Sequence, residues 1–295
     1  MTPLLRIGCP VWACADWRGR LFTRGAERKD YLAQYAQVFA TVEGNSTFYA
    51  LPSSAAVARW RDETPEHFRF CFKFPSDITH RAMLRNARAD THAFLKLMAP
   101  LGERLGPFML QLGPRFGAAH LERLRAYLRD LPTQFQYAVE VRHPDYFDQG
   151  ANEAALHEVL RERAVDRCLF DTRCVHAGAT HDRSTLQAQE RKPTLPLRTS
   201  AVGSRPLVRF VGQNEAGAAE DYLDVWVETL VGWCNSGLAP YFFAHTPDDR
   251  EAPDLARRML QRLRRRLPQM PALADFPGEH EHAGRPPRAG QLSLF

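Results

Sequence analysis

Phe68-Arg69-Phe70-Cys71-Phe72-Lys73-Phe74 alternates without a break between an aromatic ring and something else. Successive residues of a β-strand point to opposite faces, so the four phenylalanines share one face while Arg69, Cys71 and Lys73 share the other. An apolar face that size needs a cover of helices. The opposite face carries a lysine, which suits the inside of a closed barrel near the rim where barrel enzymes keep their sites. The stretch Tyr137 to Arg142 repeats the pattern: Tyr137, Val139 and Val141 go outward, Glu140 and Arg142 inward.

Six further runs rich in β-branched and aromatic residues complete a set of eight: Leu4 to Gly8, Val38 to Asn45, Phe108 to Gly113, Arg167 to Asp171, Leu207 to Gly212 and Tyr241 to His245. Between them, segments with leucines and aromatics three or four residues apart predict helices over Arg28 to Ala36, Ser54 to Glu63, Ala89 to Met98, Ala118 to Arg129, Asn152 to Arg163, Ala218 to Asn235 and Pro253 to Leu267. Ser53 and Gly237 are the start and stop signals of two of these. The link from Thr172 to Pro206 reads as an irregular excursion carrying His176, His181 and Lys192.

Alternating strands and helices pair in parallel through right-handed crossovers, and eight strands close most economically into a single α/β domain, a (β/α)8 TIM-type barrel. The 295 residues suit one such fold, with the barrel over 1–267. An open doubly wound sheet is the alternative, but neither G-x-G-x-x-G nor a phosphate-binding G-x-x-x-x-G-K-S/T occurs. From 268 to 295 the chain turns proline- and glycine-rich and is expected to be a flexible, disordered tail ending in Gln-Leu-Ser-Leu-Phe.

Composition narrows the class. With 44% hydrophobic and 25% charged residues the chain reads as a globular protein, and no apolar run is long enough to span a bilayer, so no membrane partner is expected and the expected location is cytoplasmic. Six scattered cysteines form no C-x-x-C pair and read as buried thiols. Net charge is +5, with only Lys29, Lys73, Lys96 and Lys192 as lysines among 39 basic residues. That excess is too mild to argue for nucleic acid by itself.

Applying strand parity around the barrel brings Glu43, Asn45, Gln111, Asp171, Arg209 and His245 to the same rim as Lys73, Glu140 and Arg142. Such a ring is too polar for a structural filling of aliphatic side chains, although any one pair could be a buried ion pair that only sets register. Arg142, Arg209 and Lys73 suit a phosphate or carboxylate, with Asn45, Gln111 and Tyr49 as further binding groups. Glu140, Asp171 or Glu43 could act as general base and His80 or His245 as proton shuttle. A divalent metal stays open as a cofactor, but no H-E-x-x-H supplies a ligand grammar.

The runs VEGNSTFYALP, FRFCFKFPSDITH, LQLGPRF, AVEVRHPDYF and FFAHTPDD, in this order and spacing, resemble the YecE-like family, domain of unknown function 72. The resemblance covers nearly the whole chain. It implies a barrel of the TIM type and no particular reaction, and it carries over to Glu43, Asn45, Thr47, Tyr49, Lys73, Thr79, His80, Gln111, Glu140, Arg142, Asp171 and Arg209. The chain departs at Val211, where the family tends to show His, and at His245 and Thr246, where it tends to show paired Asn.

Gln291, Leu292, Ser293, Leu294 and Phe295 are similar to the pentapeptide by which bacterial polymerases and repair proteins dock on the DNA sliding clamp. A flexible tail with one amide and two apolar anchors suits a groove; packing back on the barrel or a degradation signal are the alternatives. Three readings of function follow. One is an enzyme, a phosphoesterase or nuclease-like hydrolase, acting on a phosphate-bearing nucleotide or nucleic acid and recruited through the clamp. The second is an isomerase or hydrolase of a small anionic metabolite held at the barrel mouth, and the third a non-enzymatic binding module.

Overall fold

A computed structural model describes residues 5–215 and 217–283. All eight expected strands form: β1 Arg6–Cys9, β2 Thr41–Gly44, β3 Arg69–Phe72, β4 Phe108–Gln111, β5 Tyr137–Glu140, β6 Asp166–Asp171, β7 Leu207–Val211 and β8 Tyr241–His245. They pair in parallel in the order β3-β2-β1-β8-β7-β6-β5-β4. The two ends of the sheet meet through a bridge between Lys73 and Met109, where the Phe74 amide donates to the Met109 carbonyl at 3.0 Å. The result is a nearly closed (β/α)8 barrel, and its seam runs through Lys73.

Helices α1 Tyr31–Val38, α2 Ser46–Tyr49 (one turn), α3 Ser54–Asp62, α4 Arg88–Met98, α5 Leu121–Asp130, α6 Ala151–Arg161, α7 Arg183–Arg191, α8 Glu220–Asn235, α9 Ala252–Arg266 and α10 Pro277–Ala283 surround the strands. The Ser53 side chain accepts from the Ala56 amide and starts α3, and Gly237, at φ 82°, stops α8 in a conformation that costs glycine little. On β3 the parity is as expected. Phe68, Phe70, Phe72 and Phe74 are buried under the helices, with Trp60 of α3 stacked on Phe72 at 5.5 Å and Phe94 of α4 edge-on to Phe74 at 5.3 Å.

Inside the barrel, Cys71, Met109, Ala138, Cys168, Leu207, Tyr241 and Phe243 fill the lower layer. Small side chains on β3, β5 and β6 leave room for the two rings of β8. The charged residues lie above this plug, so whatever enters the barrel comes from the C-terminal end of the strands. All six cysteines are free thiols, and no helix among the described residues is long and apolar enough to cross a membrane.

Two expectations change. The link between β6 and β7 is not wholly irregular: α7 lies in it, capped by the Asp182 carboxylate, which accepts from the Thr185 amide at 2.9 Å. Only Thr185 and Ala188 of α7 are buried, so the helix offers no apolar stripe for periodicity to find. The boundary at Pro268 also moves. Met270 and Phe276 are buried, Phe276 lies beneath the Arg257 guanidinium at 3.4 Å, and the Gly278 amide donates to the Arg20 carbonyl at 2.9 Å. The expected tail therefore begins as folded chain, with α10 docked beneath α9; Gln291 to Phe295 lie outside the described residues.

If this segment belongs to the barrel, Phe276→Ala should cost about 3 kcal/mol, the usual penalty for emptying a buried aromatic site. Denaturant unfolding checks it: an unchanged midpoint would make the segment an appendage.

Candidate functional site

Arg209, on β7, lies at the centre of the charged layer. Its Nε stands 3.0 and 2.9 Å from the two oxygens of Glu43 on β2, and its Nη1 donates to Glu140 Oε2 on β5 at 2.6 Å. The planar guanidinium thus bridges two carboxylates across the barrel and lies over the Phe170 ring at 4.7 Å. Glu43 is completed by His245 of β8, whose Nε2 is 2.8 Å from Oε2, and by the Lys73 amine at 3.4 Å from Oε1. Glu140 is completed by the Nε of Arg142 at 2.7 Å.

The charges follow from this geometry. Burial alone would raise both carboxyls, but Arg209 together with His245 and Lys73 at Glu43, and with Arg142 and Lys73 at Glu140, more than reverses it, leaving Glu43 well below its ordinary range and Glu140 at about 2. Both are ionised and their oxygens occupied. His245 is driven down to about 4, chiefly by burial, so at neutral pH its Nε2–H donates to Glu43 and its Nδ1 is an acceptor. Burial and the neighbouring Arg209 lower the Lys73 amine to about 8 against the pull of Glu43.

Two residues that sequence reasoning did not place in the site complete it. Lys192, at the end of α7, faces Arg209, Asp249, Arg142 and Glu43, and burial first, then Arg209, lowers its pKa. Its position is built: the Lys192 carbonyl accepts from His176 Nε2 at 3.1 Å, and the Pro193 carbonyl accepts from the Thr172 hydroxyl at 2.7 Å. The returning limb is pinned to the barrel flank by Arg198, whose Nε contacts both Glu153 oxygens at 2.9 and 3.0 Å beside the buried Arg167. Asp249, in the loop after β8, is held at φ 63° and is raised to about 7 by burial, with Lys192 opposing. The barrel rule that loops after strands carry chemistry could have flagged both.

The remaining expected residues divide. Gln111, only 6% exposed, and Asn45 each present an amide oxygen that is buried without a partner, while the Asn45 Nδ2 donates to the Pro10 carbonyl at 2.9 Å. A buried acceptor without a donor is uncommon. His80 stands at the rim on a π-helical turn, Asp77–Arg81, its Nδ1 2.9 Å from the Thr79 hydroxyl and its ring packed on Gly113. The loop that follows holds Met83, Leu84 and Asn86 at positive φ, backbone strain of the sort that collects at functional sites. Tyr49, 83% exposed, stands on the rim next to Phe48.

Asp171 is not in the ring. The inward positions of β6 are Cys168 and Phe170, so Asp171 turns outward, where its Oδ2 accepts from Trp226 Nε1 of α8 at 2.8 Å and pairs with Arg173. A one-residue difference in strand phase reverses every side chain. Arg209 is also not free for a ligand, since its Nε and Nη1 are taken by carboxylates. Among the described residues no group of three or more His, Cys, Asp and Glu is placed to hold a metal ion.

Residues 6–280 match the family described as "Protein of unknown function DUF72". The chain belongs to this family. It is 39% identical over 274 residues to the UPF0759 protein YecE of Escherichia coli strain K12, which covers 93% of this chain and 98% of that protein. Solved DUF72 structures share the fold. One from Thermotoga maritima superposes with a TM-score of 0.66 at 22% identity, covering 88% of this chain and 98% of that one. Another, from Enterococcus faecalis, gives 0.65 at 20% identity, covering 92% and 98%.

Removing the bridge between the carboxylates should be severe: Arg209→Met leaves Glu43 and Glu140 short of charge and should cost roughly 3–5 kcal/mol at pH 7. In the native protein Glu140 binds its proton more weakly folded than unfolded, so its contribution, full above the ordinary 4.5, is lost as pH falls toward 2. His245 adds to the loss between 6.5 and 4, where the unfolded ring takes the proton first. In the variant the buried carboxylates bind protons more readily, so stability should fall less steeply on acidification, or rise. Unfolding titrations from pH 7 to 4 measure both; equal stability at pH 7 or parallel pH slopes would sink the argument.

Proposed function

We propose that this DUF72 barrel is an enzyme that binds a small phosphate-bearing molecule of nucleotide size at its C-terminal mouth and moves a proton on it. The observation that carries the reading is the division of labour among the buried charges. Glu43 and Glu140 are shared by Arg209, Lys73 and Arg142, and with Lys192 these four cations outnumber the three carboxylates Glu43, Glu140 and Asp249. Cations in excess, in a water-poor recess, favour an anion. The partnerless oxygens of Gln111 and Asn45 supply acceptors for ligand hydroxyls or amines.

Depth supports a small molecule over a strand. The Lys73 amine is only 9% exposed in its side chain, so a terminal phosphate or sugar reaches it more readily than a phosphodiester backbone does. Chemistry supports proton transfer over phosphoester cleavage by Glu43 or Glu140. Those carboxylates are strong acids with occupied oxygens, whereas Asp249 at about 7 and Lys73 at about 8 exchange protons near neutral pH. A strand-cleaving hydrolase is thus the weaker of the two enzymatic readings.

Calorimetry with inorganic phosphate and with a nucleoside monophosphate tests this. Saturable binding is expected, with Arg142→Ala weakening it at least about tenfold, the size of one charge-assisted hydrogen bond. No saturation, or equal affinity in a folded Arg142→Ala variant, would return the ring to a structural ion-pair network.

A second reading concerns address. The family match ends at residue 280, so Gln291 to Phe295 lie outside the part shared with DUF72 relatives. We infer that this pentapeptide docks on the DNA sliding clamp, bringing a barrel with weak nucleic-acid affinity to DNA. A peptide spanning Pro286 to Phe295 should bind purified clamp. Leu294→Ala with Phe295→Ala should weaken it at least about tenfold, from the loss of two buried anchors. Binding by the double variant equal to that of the wild type would remove the clamp from the account.

A further inference from the structure

We propose that Lys73 is a nucleophilic amine that forms an imine with the carbonyl group of a sugar phosphate held at the barrel mouth. The inference deepens the anion reading above by naming the substrate class. Its first support is placement. The chain has four lysines among 39 basic residues, and two of the four, Lys73 and Lys192, stand among the charged groups of the barrel, while Lys29 and Lys96 are exposed on the outer surface. In an arginine-dominated chain, a site that needed charge alone could use arginine throughout. Guanidinium does not deprotonate, and an amine does.

The second support is the company Lys73 keeps. It lies at the barrel seam, bridged to Met109, with its amine 3.4 Å from Glu43 Oε1 and 5.7 Å from the centre of the Phe48 ring. The charged groups facing it are Glu43 from β2, Glu140 and Arg142 from β5, and Arg209 from β7. Gln111, on the next strand, is almost fully buried and has an amide oxygen without a partner. That oxygen suits a sugar hydroxyl beside the carbonyl, and Arg142 and Lys192 suit the phosphate. A pKa of about 8 means that the free-amine fraction at pH 7 exceeds that of an ordinary lysine by two to three orders of magnitude.

The step balances without a co-reactant. The neutral amine attacks the carbonyl carbon, a C–N bond forms, and the oxygen takes the proton that the nitrogen releases, giving a carbinolamine. A proton delivered from solvent at the mouth protonates the departing hydroxyl. Water leaves, the nitrogen lone pair closes the C=N bond, and the iminium carries the positive charge.

Two sources share this chemistry: a free pentose phosphate, and the aldehyde of an abasic site flanked by phosphates in single-stranded DNA. The full-length protein is incubated with 2-deoxyribose 5-phosphate or with an oligonucleotide containing one abasic site, reduced with borohydride, and mapped by peptide mass spectrometry. A reduced adduct on Lys73 is expected, with Lys29 and Lys96 unlabelled. Labelling should rise about tenfold per pH unit below 8 and then level off, where an ordinary lysine keeps rising. Adduct with the free sugar assigns a metabolite; adduct with the oligonucleotide alone assigns DNA. Lys73→Arg, which keeps the charge beside Glu43, should lose the adduct.

No adduct with either probe, labelling spread evenly over the lysines, or labelling retained in Lys73→Arg would overturn the proposal. Phosphate calorimetry on the same preparation separates the two readings. Binding without an adduct ends the imine and leaves the anion site; absence of both ends both.

Discussion

The bridge from Glu43 through Arg209 to Glu140 is the interaction on which the rest of the site depends. Three ionised groups below 5% side-chain exposure are expensive to desolvate, and they are tolerated because each is hydrogen-bonded to the next in near-ideal geometry. The bridge crosses the barrel from β2 to β5 by way of β7, so it also holds three strands in register. Glu43 and Glu140 are shared among Arg209, Lys73 and Arg142, so with Lys192 beside them the layer holds more cations than carboxylates. The proposal of an anion at the mouth rests on that excess.

Above the bridge, the site is assembled from segments with different rigidity. Lys73, Glu140, Arg142 and His245 sit on or at the ends of strands, where backbone pairing fixes their positions. Lys192 and Asp249 come from loops, and both loops are tied down: one by His176, Thr172 and the Arg198–Glu153 pair, the other by the Trp17 indole donating to the Asp249 carbonyl at 2.9 Å. A loop anchored at several points brings a side chain to a recess with less ordering cost than a free one. His80 stands on a π-helical turn, just before the positive-φ residues Met83, Leu84 and Asn86.

The same arrangement explains why titrating groups of opposite sign coexist in so small a volume. Burial pushes Asp249 up and Lys73 down, so their ordinary separation of more than six pH units shrinks to about one. Each of the two therefore changes charge near neutral pH, which neither Glu43 nor Glu140 does beside Arg209.

Much of this was legible in the linear chain because a strand's period is local. Four phenylalanines alternating with Arg69, Cys71 and Lys73 decide which face is covered by helices, and the same reasoning turns Glu140 and Arg142 inward. Eight such strands and the helices between them imply the barrel. The phase of β6 was not legible. Asp171 and Phe170 both fit a strand end, and only packing against Trp226 on one side and the stacked guanidiniums of Arg142 and Arg209 on the other selects which faces in. Nor was α7, whose polar surface leaves no stripe, or the fold of 268–283, whose prolines and glycines hide one buried phenylalanine. The sequence by itself determined the strands, the faces of β3 and β5 and their inward charges, since these follow from neighbours one or two residues away. Which carboxylates Arg209 binds, and that Lys192 and Asp249 meet them, only the tertiary structure decided, because those contacts join residues far apart in the chain and loops carry no period.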